Sequence, residues 1–202
     1  MDQYIFFAVF AVLLAMARYG TYLFSIYKGE TKPHAFTWVL WGLVAGIGTL
    51  AQFALEAGPS AWALGFVSVT CLMIGVLAFF IGEREYTKSD WVALVVCLLA
   101  IPVWKITDNP MAALLIIILI DGLTYWPTVR KSYHKPDTEP PISSFMAGSR
   151  YLLMLFAVPD PTWANLMYPF FLMVTDWGFA VYIIIRRAQL GLPLHEYARV
   201  RG

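Results

Sequence analysis

Four ionisable residues fall where the chain is otherwise apolar: Arg18, Asp121, Arg150 and Asp176. At the centre of a bilayer each would cost roughly 2.5–3.5 kcal/mol on insertion scales, so they are expected to face one another or a wet cavity rather than lipid. Two Arg and two Asp sum to zero, and pairing would neutralise the set without a ligand. Asp121 and Arg150 lie in adjacent predicted spans and make the first expected pair; Arg18 with Asp121, or Arg18 with Asp176, is the second. Two readings fit this chemistry. In one, the groups line a central solute site and one carboxylate exchanges a proton as the cavity opens to alternate sides. In the other they form a static buried ion network that orients the helices. Arg18 and Arg150 also sit about one to two turns from a loop, so snorkelling is a further account of them.

Other side chains could complete such a site. Trp38 and Trp41 share a helix face, and Trp41, Trp177 and Tyr125 lie deep enough to stack on a sugar or another flat ring, while the remaining tryptophans fall near span ends as interfacial anchors. Gln52, Asn165 and Thr70 are candidate hydrogen-bond partners for a solute, or equally the polar glue between helices. Gly42, Gly46 and Gly48 make a small-residue face suited to close helix contact. Pro127 and Pro169 each remove a helix hydrogen bond and are the candidate hinges. Pro102 and Pro110 are expected to bracket one turn.

The elements that must position these residues follow from composition. The chain is 60% hydrophobic and 13% charged over 202 residues, with a mean hydropathy of +0.67. That is about half the charged fraction of an ordinary soluble domain, and it places the chain among integral membrane proteins. A spanning helix needs ~20 mostly apolar residues. Seven such runs stand between Gly, Pro and charged punctuation, at 4–27, 35–55, 61–82, 90–106, 110–129, 142–158 and 162–187, the fourth and sixth being shortest. The first run lacks a basic leader and outlasts a signal-peptide core, so it is expected to be retained as a span. Cys71 and Cys97 fall inside spans, where no disulfide is expected.

Basic residues set the expected orientation. Lys28, Lys32, Arg84, Lys88, Arg130, Lys131, Lys135, Arg186, Arg187, Arg199 and Arg201 all follow odd-numbered spans, while the opposite loops hold only Lys105. By the positive-inside rule the amino terminus lies outside and the carboxyl terminus in the cytoplasm, in a cell (inner) membrane crossed several times. The net charge of +1 hides this asymmetry and gives no reason to expect nucleic acid. The short basic tail is expected to lie along the anionic inner leaflet.

The chain also repeats itself. Arg18-Tyr19-Gly20-Thr21-Tyr22 aligns with Asp121-Gly122-Leu123-Thr124-Tyr125, and at the same offset Lys28 falls on Lys131. Phe36-Thr37-Trp38 falls near Ser143-Ser144-Phe145, and Pro59-Ser60-Ala61-Trp62-Ala63 resembles Asp160-Pro161-Thr162-Trp163-Ala164. The expected organisation is an all-α membrane protein of seven transmembrane helices. It comprises a first triple-helix repeat (1–88), a linker helix (89–109), a second repeat (110–187) and a cytoplasmic tail (188–202). A single-span linker leaves both repeats in the same orientation, so they are parallel.

Three plus one plus three helices, with a helix ending Tyr125-Trp126-Pro127-Thr128-Val129-Arg130-Lys131 before Thr138-Glu139 and Ser143-Ser144, resembles the PQ-loop superfamily. That group includes the SWEET sugar facilitators, lysosomal amino-acid exporters and, more distantly, Pnu-type vitamin transporters. The family places Pro-Gln at the end of the first helix of each repeat; this chain has Pro127-Thr128 in the second and Phe24-Ser25 in the first. The stretches KPHAFTWVLWGLVAGIGTLAQ and IPVWKITDNPMAALLIIILIDGLTYWPTVRKSYHKP are similar, more closely, to a set of uncharacterised bacterial membrane proteins. What the superfamily resemblance implies is movement of a small polar solute by alternating access around a midplane site between the repeats. The alternative is a non-transporting membrane subunit or assembly factor held together by buried ion pairs. Partners are then the solute and the bilayer, with a homo-oligomer or a second membrane protein compatible with either reading.

No phosphate-binding loop, HExxH helix or GxSxG elbow occurs, so an enzyme is not expected. His34, His134 and His195 stand apart in loops or the tail, which argues against a metal site, and no cofactor is expected. Span seven has no lysine for a retinal Schiff base, and the contexts Asp121-Gly122 and Asp176-Trp177 do not resemble an intramembrane aspartyl protease.

Overall fold

The computed structural model describes residues 2–29, 33–82, 88–134, 136–138 and 140–193. They form seven α-helices and one 3-10 turn: α1 (Gln3–Tyr27), α2 (Ala35–Ala54), α3 (Pro59–Ile81), α4 (Lys88–Thr107), α5 (Pro110–His134), the turn Pro136–Thr138, α6 (Pro141–Phe156) and α7 (Trp163–Gln189). Lys32, Arg84, Lys135, Glu139, His195, Arg199 and Arg201, with most of the tail, lie outside the described residues.

Local chemistry accounts for the helix starts. The Asp2 carboxylate accepts from the Tyr4 amide at 3.3 Å and begins α1. Gly58, at φ +60°, reverses the chain before Pro59 opens α3 with a ring already set for the first helical position. At α7, Thr162 and Asn165 form a reciprocal capping box. Proline does not stop helices as it would in water. Pro102 lies inside α4 rather than at the following turn, which Asp108 and Asn109 form instead. Likewise α5 continues past Pro127 to His134, and Pro169 is buried inside α7.

Helices α1, α2, α3 and α7 are long and apolar enough to cross a membrane, and shorter apolar stretches, Leu94–Thr107 and Pro110–Leu123, lie in α4 and α5. Helix α6, at 16 residues, reaches only ~24 Å at 1.5 Å per residue, short of the ~30 Å hydrocarbon layer. The outer surface carries large apolar side chains: Trp62, Phe80 and Leu119 are 71%, 76% and 67% exposed. Large apolar side chains that point outward on every long helix are accommodated by a multi-pass membrane protein.

Small residues inside allow close approach. Helix α1 turns Ala8, Ala11, Ala15 and Tyr19 inward at one-turn spacing, while Phe6, Phe10, Leu13 and Met16 face out. Between α2 and α3, a Cβ on Gly42 would meet Leu72 Cγ at 2.6 Å, and one on Gly75 would meet Val39 Cγ2 at 2.8 Å. The glycine face of α2 is therefore a contact surface, as its composition led us to expect. Helix α3 packs on both α1 and α2, and α7 on both α5 and α6; α1 packs on α6, α2 on α5, and α4 lies against α2 and α5.

Candidate functional site

Six helices contribute to a single polar cavity of about 80 Å³. Helix α1 brings Arg18 and Tyr19; α2 brings Trp38, Trp41 and Ala45; α3 brings Val67 and Cys71. Helix α5 adds Asp121 and Tyr125, α6 adds Arg150 and Tyr151, and α7 adds Tyr168, Leu172 and Asp176. The positions recur at three- or four-residue steps on α2, α3, α5 and α7, so each helix presents one face to the cavity. All four charges singled out on the apolar runs meet there. Asp121 and Arg150 are buried, Arg18 and Asp176 half-buried.

Their partners differ from the direct pairs expected. The Arg150 guanidinium donates from Nη1 to Tyr19 Oη at 2.9 Å and from Nη2 to Tyr151 Oη at 2.7 Å. It also lies over both rings, 5.4 Å from the Tyr19 centroid and 4.5 Å from that of Tyr151. Asp121 Oδ2 accepts from the Tyr168 hydroxyl at 2.9 Å, and Asp176 Oδ1 accepts from Tyr125. Arg18 donates through Nε to Ser143 Oγ at 3.2 Å. Three of the four charges thus meet tyrosine hydroxyls: Arg150 those of Tyr19 and Tyr151, Asp121 that of Tyr168 and Asp176 that of Tyr125. A phenol both donates and accepts, so it can satisfy an ion of either sign.

Of the expected solute-binding residues, Arg18, Trp41, Asp121, Tyr125, Arg150 and Asp176 line the cavity. Gln52 and Asn165 do not: Gln52 Nε2 donates to the Asn165 carbonyl at 3.2 Å, and Asn165 Nδ2 donates to the Asp160 carbonyl at 2.8 Å while capping α7. They join the far end of α2 to the start of α7, the glue role that short polar side chains also fill. Thr70 bonds back to the Phe66 carbonyl on its own helix. Trp177 donates to the Phe145 carbonyl at 3.2 Å, stacks on that ring and sits against Gly148, so it fixes α6 to α7. The hinge candidate Pro169 is in α7, four positions after Asn165 of its capping box; the Pro127 side chain lies outside the described ones.

Tyr19, Tyr151, Tyr168 and Cys71 were not singled out from the sequence. A signal was present for three of them: Tyr19 and Tyr151 each adjoin one of the buried arginines, and Tyr168 shares a helix face with Asp176 two turns on. A buried charge requires hydrogen-bonding neighbours, and these were the ones within reach. Among the described residues no cluster of three His, Cys, Asp or Glu side chains could hold a metal ion. No protein-family model matches the chain, and neither a curated protein nor a solved structure matches it significantly.

Proposed function

We propose that the chain is a seven-span transporter or facilitator of a small polar solute in the cell (inner) membrane. Its amino terminus is outside and its carboxyl terminus cytoplasmic, and it works by alternating access around the cavity between two parallel triple-helix repeats, as the PQ-loop and SWEET-like resemblance implies. The observation that carries this reading is the convergence of Arg18, Asp121, Arg150 and Asp176 on one cavity. Such costly residues default to a functional role, and here they surround space rather than close on each other.

The packing pattern supports the repeats. Exchanging α1, α2 and α3 for α5, α6 and α7 maps the α1–α6 contact onto the α5–α2 contact and leaves the third helix central in each triplet. Pro33 and Pro136 stand at the same offset as Arg18 and Asp121. In each case the proline carbonyl meets the end of the third helix, at Gly82 in one and at Arg187 Nε, 3.0 Å away, in the other. Two structures of the same gate, related by a pseudo-axis along the membrane normal, are what rocking of one repeat against the other requires.

A second reading, a non-transporting subunit, draws on an apolar groove of about 440 Å³ between α1 and α3, lined by Ile5, Val9, Leu13 and Trp62 among others. One experiment separates the two: thermal unfolding of the detergent-purified protein against sugars, amino acids, nucleosides and vitamins, repeated on Asp121→Asn. A ligand that stabilises the wild type by mass action but not the variant supports the solute site. Absence of any shift, with Asp121→Asn itself strongly destabilised, supports the subunit.

A further inference from the structure

Resting on the transport reading, the cavity also carries information about what it holds. Its two signs of charge are not equally satisfied. Each aspartate already accepts a tyrosine hydroxyl: Asp121 from Tyr168 and Asp176 from Tyr125. Arg150 is only 3% exposed, yet its hydrogen bonds go to neutral tyrosine oxygens. Its Nε is buried without a partner among the described residues. A guanidinium has five N–H donors in a planar fork that matches a carboxylate, and a buried guanidinium whose hydrogen bonds reach no carboxylate among the described residues is one that an incoming anion can satisfy. Tyr151 accepts from Arg150, so its own hydroxyl proton remains to be donated on the same side; the Tyr19 hydroxyl also accepts from Arg150 and already shares a hydrogen bond with Cys71 Sγ at 3.5 Å.

We propose that the solute carries a carboxylate that docks on Arg150, Tyr19 and Tyr151, and that it is compact. The cavity of about 80 Å³ has room for on the order of five waters, which suits a compact solute. Two Arg and two Asp balance the empty site, so a bound carboxylate leaves one excess negative charge. Either a cationic group on the same molecule, set against Asp176, or a proton taken up on an aspartate restores the balance. The shared chemistry is the compact carboxylate; the two sources of balance are distinguishable.

The test is isothermal titration of the full-length protein in detergent with glycine and with acetate, against acetamide and glycerol as uncharged controls and chloride as a simple anion. Glycine or acetate binds and the controls do not. Arg150→Gln weakens binding by about 10- to 150-fold, the worth of one charge-assisted hydrogen bond. Should Arg150→Gln fail to fold, Arg150→Lys keeps the charge without the planar fork and also lowers carboxylate affinity. If glycine is the better ligand, Asp176→Asn selectively removes it; if acetate is, its binding draws a proton from the buffer. Acetamide or chloride binding as well as the carboxylates, full affinity retained in the folded Arg150 variant, or no carboxylate binding in the upper millimolar range overturns the inference. Flux is measured separately: a transported solute without a carboxylate sinks this inference and leaves transport standing, whereas carboxylate binding without flux does the reverse.

Discussion

Replacing Gly48 with Ala tests whether helix packing and the polar cavity are one mechanical system. A Cβ at this position would lie 2.5 Å from Tyr168 Cε1, 3.0 Å from its Cδ1 and 3.1 Å from Ile117 Cδ1. Ile117 is 0% exposed and has no open space to retreat into, and Tyr168, 1% exposed, can give way only toward the cavity it lines. The displaced ring carries the hydroxyl that donates to Asp121 at 2.9 Å. Alanine gains about 0.5–1 kcal/mol over glycine in a helix interior. Against that stand overpacking of about 1–3 kcal/mol and the loss of a hydrogen bond to a buried charged group, about 1.5–3 kcal/mol. The net is destabilisation by roughly 2–5 kcal/mol. Gly20→Ala is the matched control, because nothing lies within 4 Å of its added Cβ, and it should stabilise by up to about 1 kcal/mol. Thermal unfolding in detergent, followed by tryptophan fluorescence, compares the two directly. If the damage runs through the hydroxyl, Gly48→Ala and Tyr168→Phe combine less than additively. A Gly48→Ala protein as stable as Gly20→Ala would refute the coupling.

Three further outcomes follow from the same geometry. Arg187→Gln removes donors to the Pro136 and Pro193 carbonyls; a loss of about 1.5–3 kcal/mol and faster proteolysis between α5 and α6 are expected in limited digestion. Asn165→Ala abolishes the α7 capping box and one bond to Asp160, so it lowers stability by about 1–2 kcal/mol without weakening any ligand that binds the cavity. Both cysteines are buried in the core, but Cys71 borders the cavity and Cys97 does not. A small charged methanethiosulfonate should therefore label Cys71 in preference, as read by mass spectrometry, and equal labelling or none would argue against a wet cavity.

Much of the fold was legible because helices in an apolar chain declare themselves by length and by their breaks. Charged and Gly/Pro punctuation placed every helix end within a few residues except that of α5, where Pro127 and Arg130 suggested an end that the helix passes through to His134. Proline's lost hydrogen bond is a local penalty that neighbouring helices absorb, so it predicts a stop poorly in this setting. The four charges on the apolar runs were legible for the opposite reason, their cost in lipid. Their partners were not, because hydrogen-bond choice depends on which way each helix is rotated. Asp121 and Arg150 are a plausible pair on paper, yet helix rotation gives each a tyrosine first. Gln52 and Asn165 lie off the cavity for the same reason: helix rotation turns them toward each other, where Gln52 Nε2 donates to the Asn165 carbonyl.

Flux through a reconstituted bilayer tests the central claim most directly. Purified protein in proteoliposomes, assayed for uptake of radiolabelled amino acids, monocarboxylates, sugars, nucleosides and vitamins, should show saturable entry of at least one above protein-free vesicles. Asp121→Asn, reconstituted to the same density, should lose most of that uptake. If no solute enters faster than through protein-free vesicles while the protein is folded, the cavity is a structural ion network and the transport account is wrong.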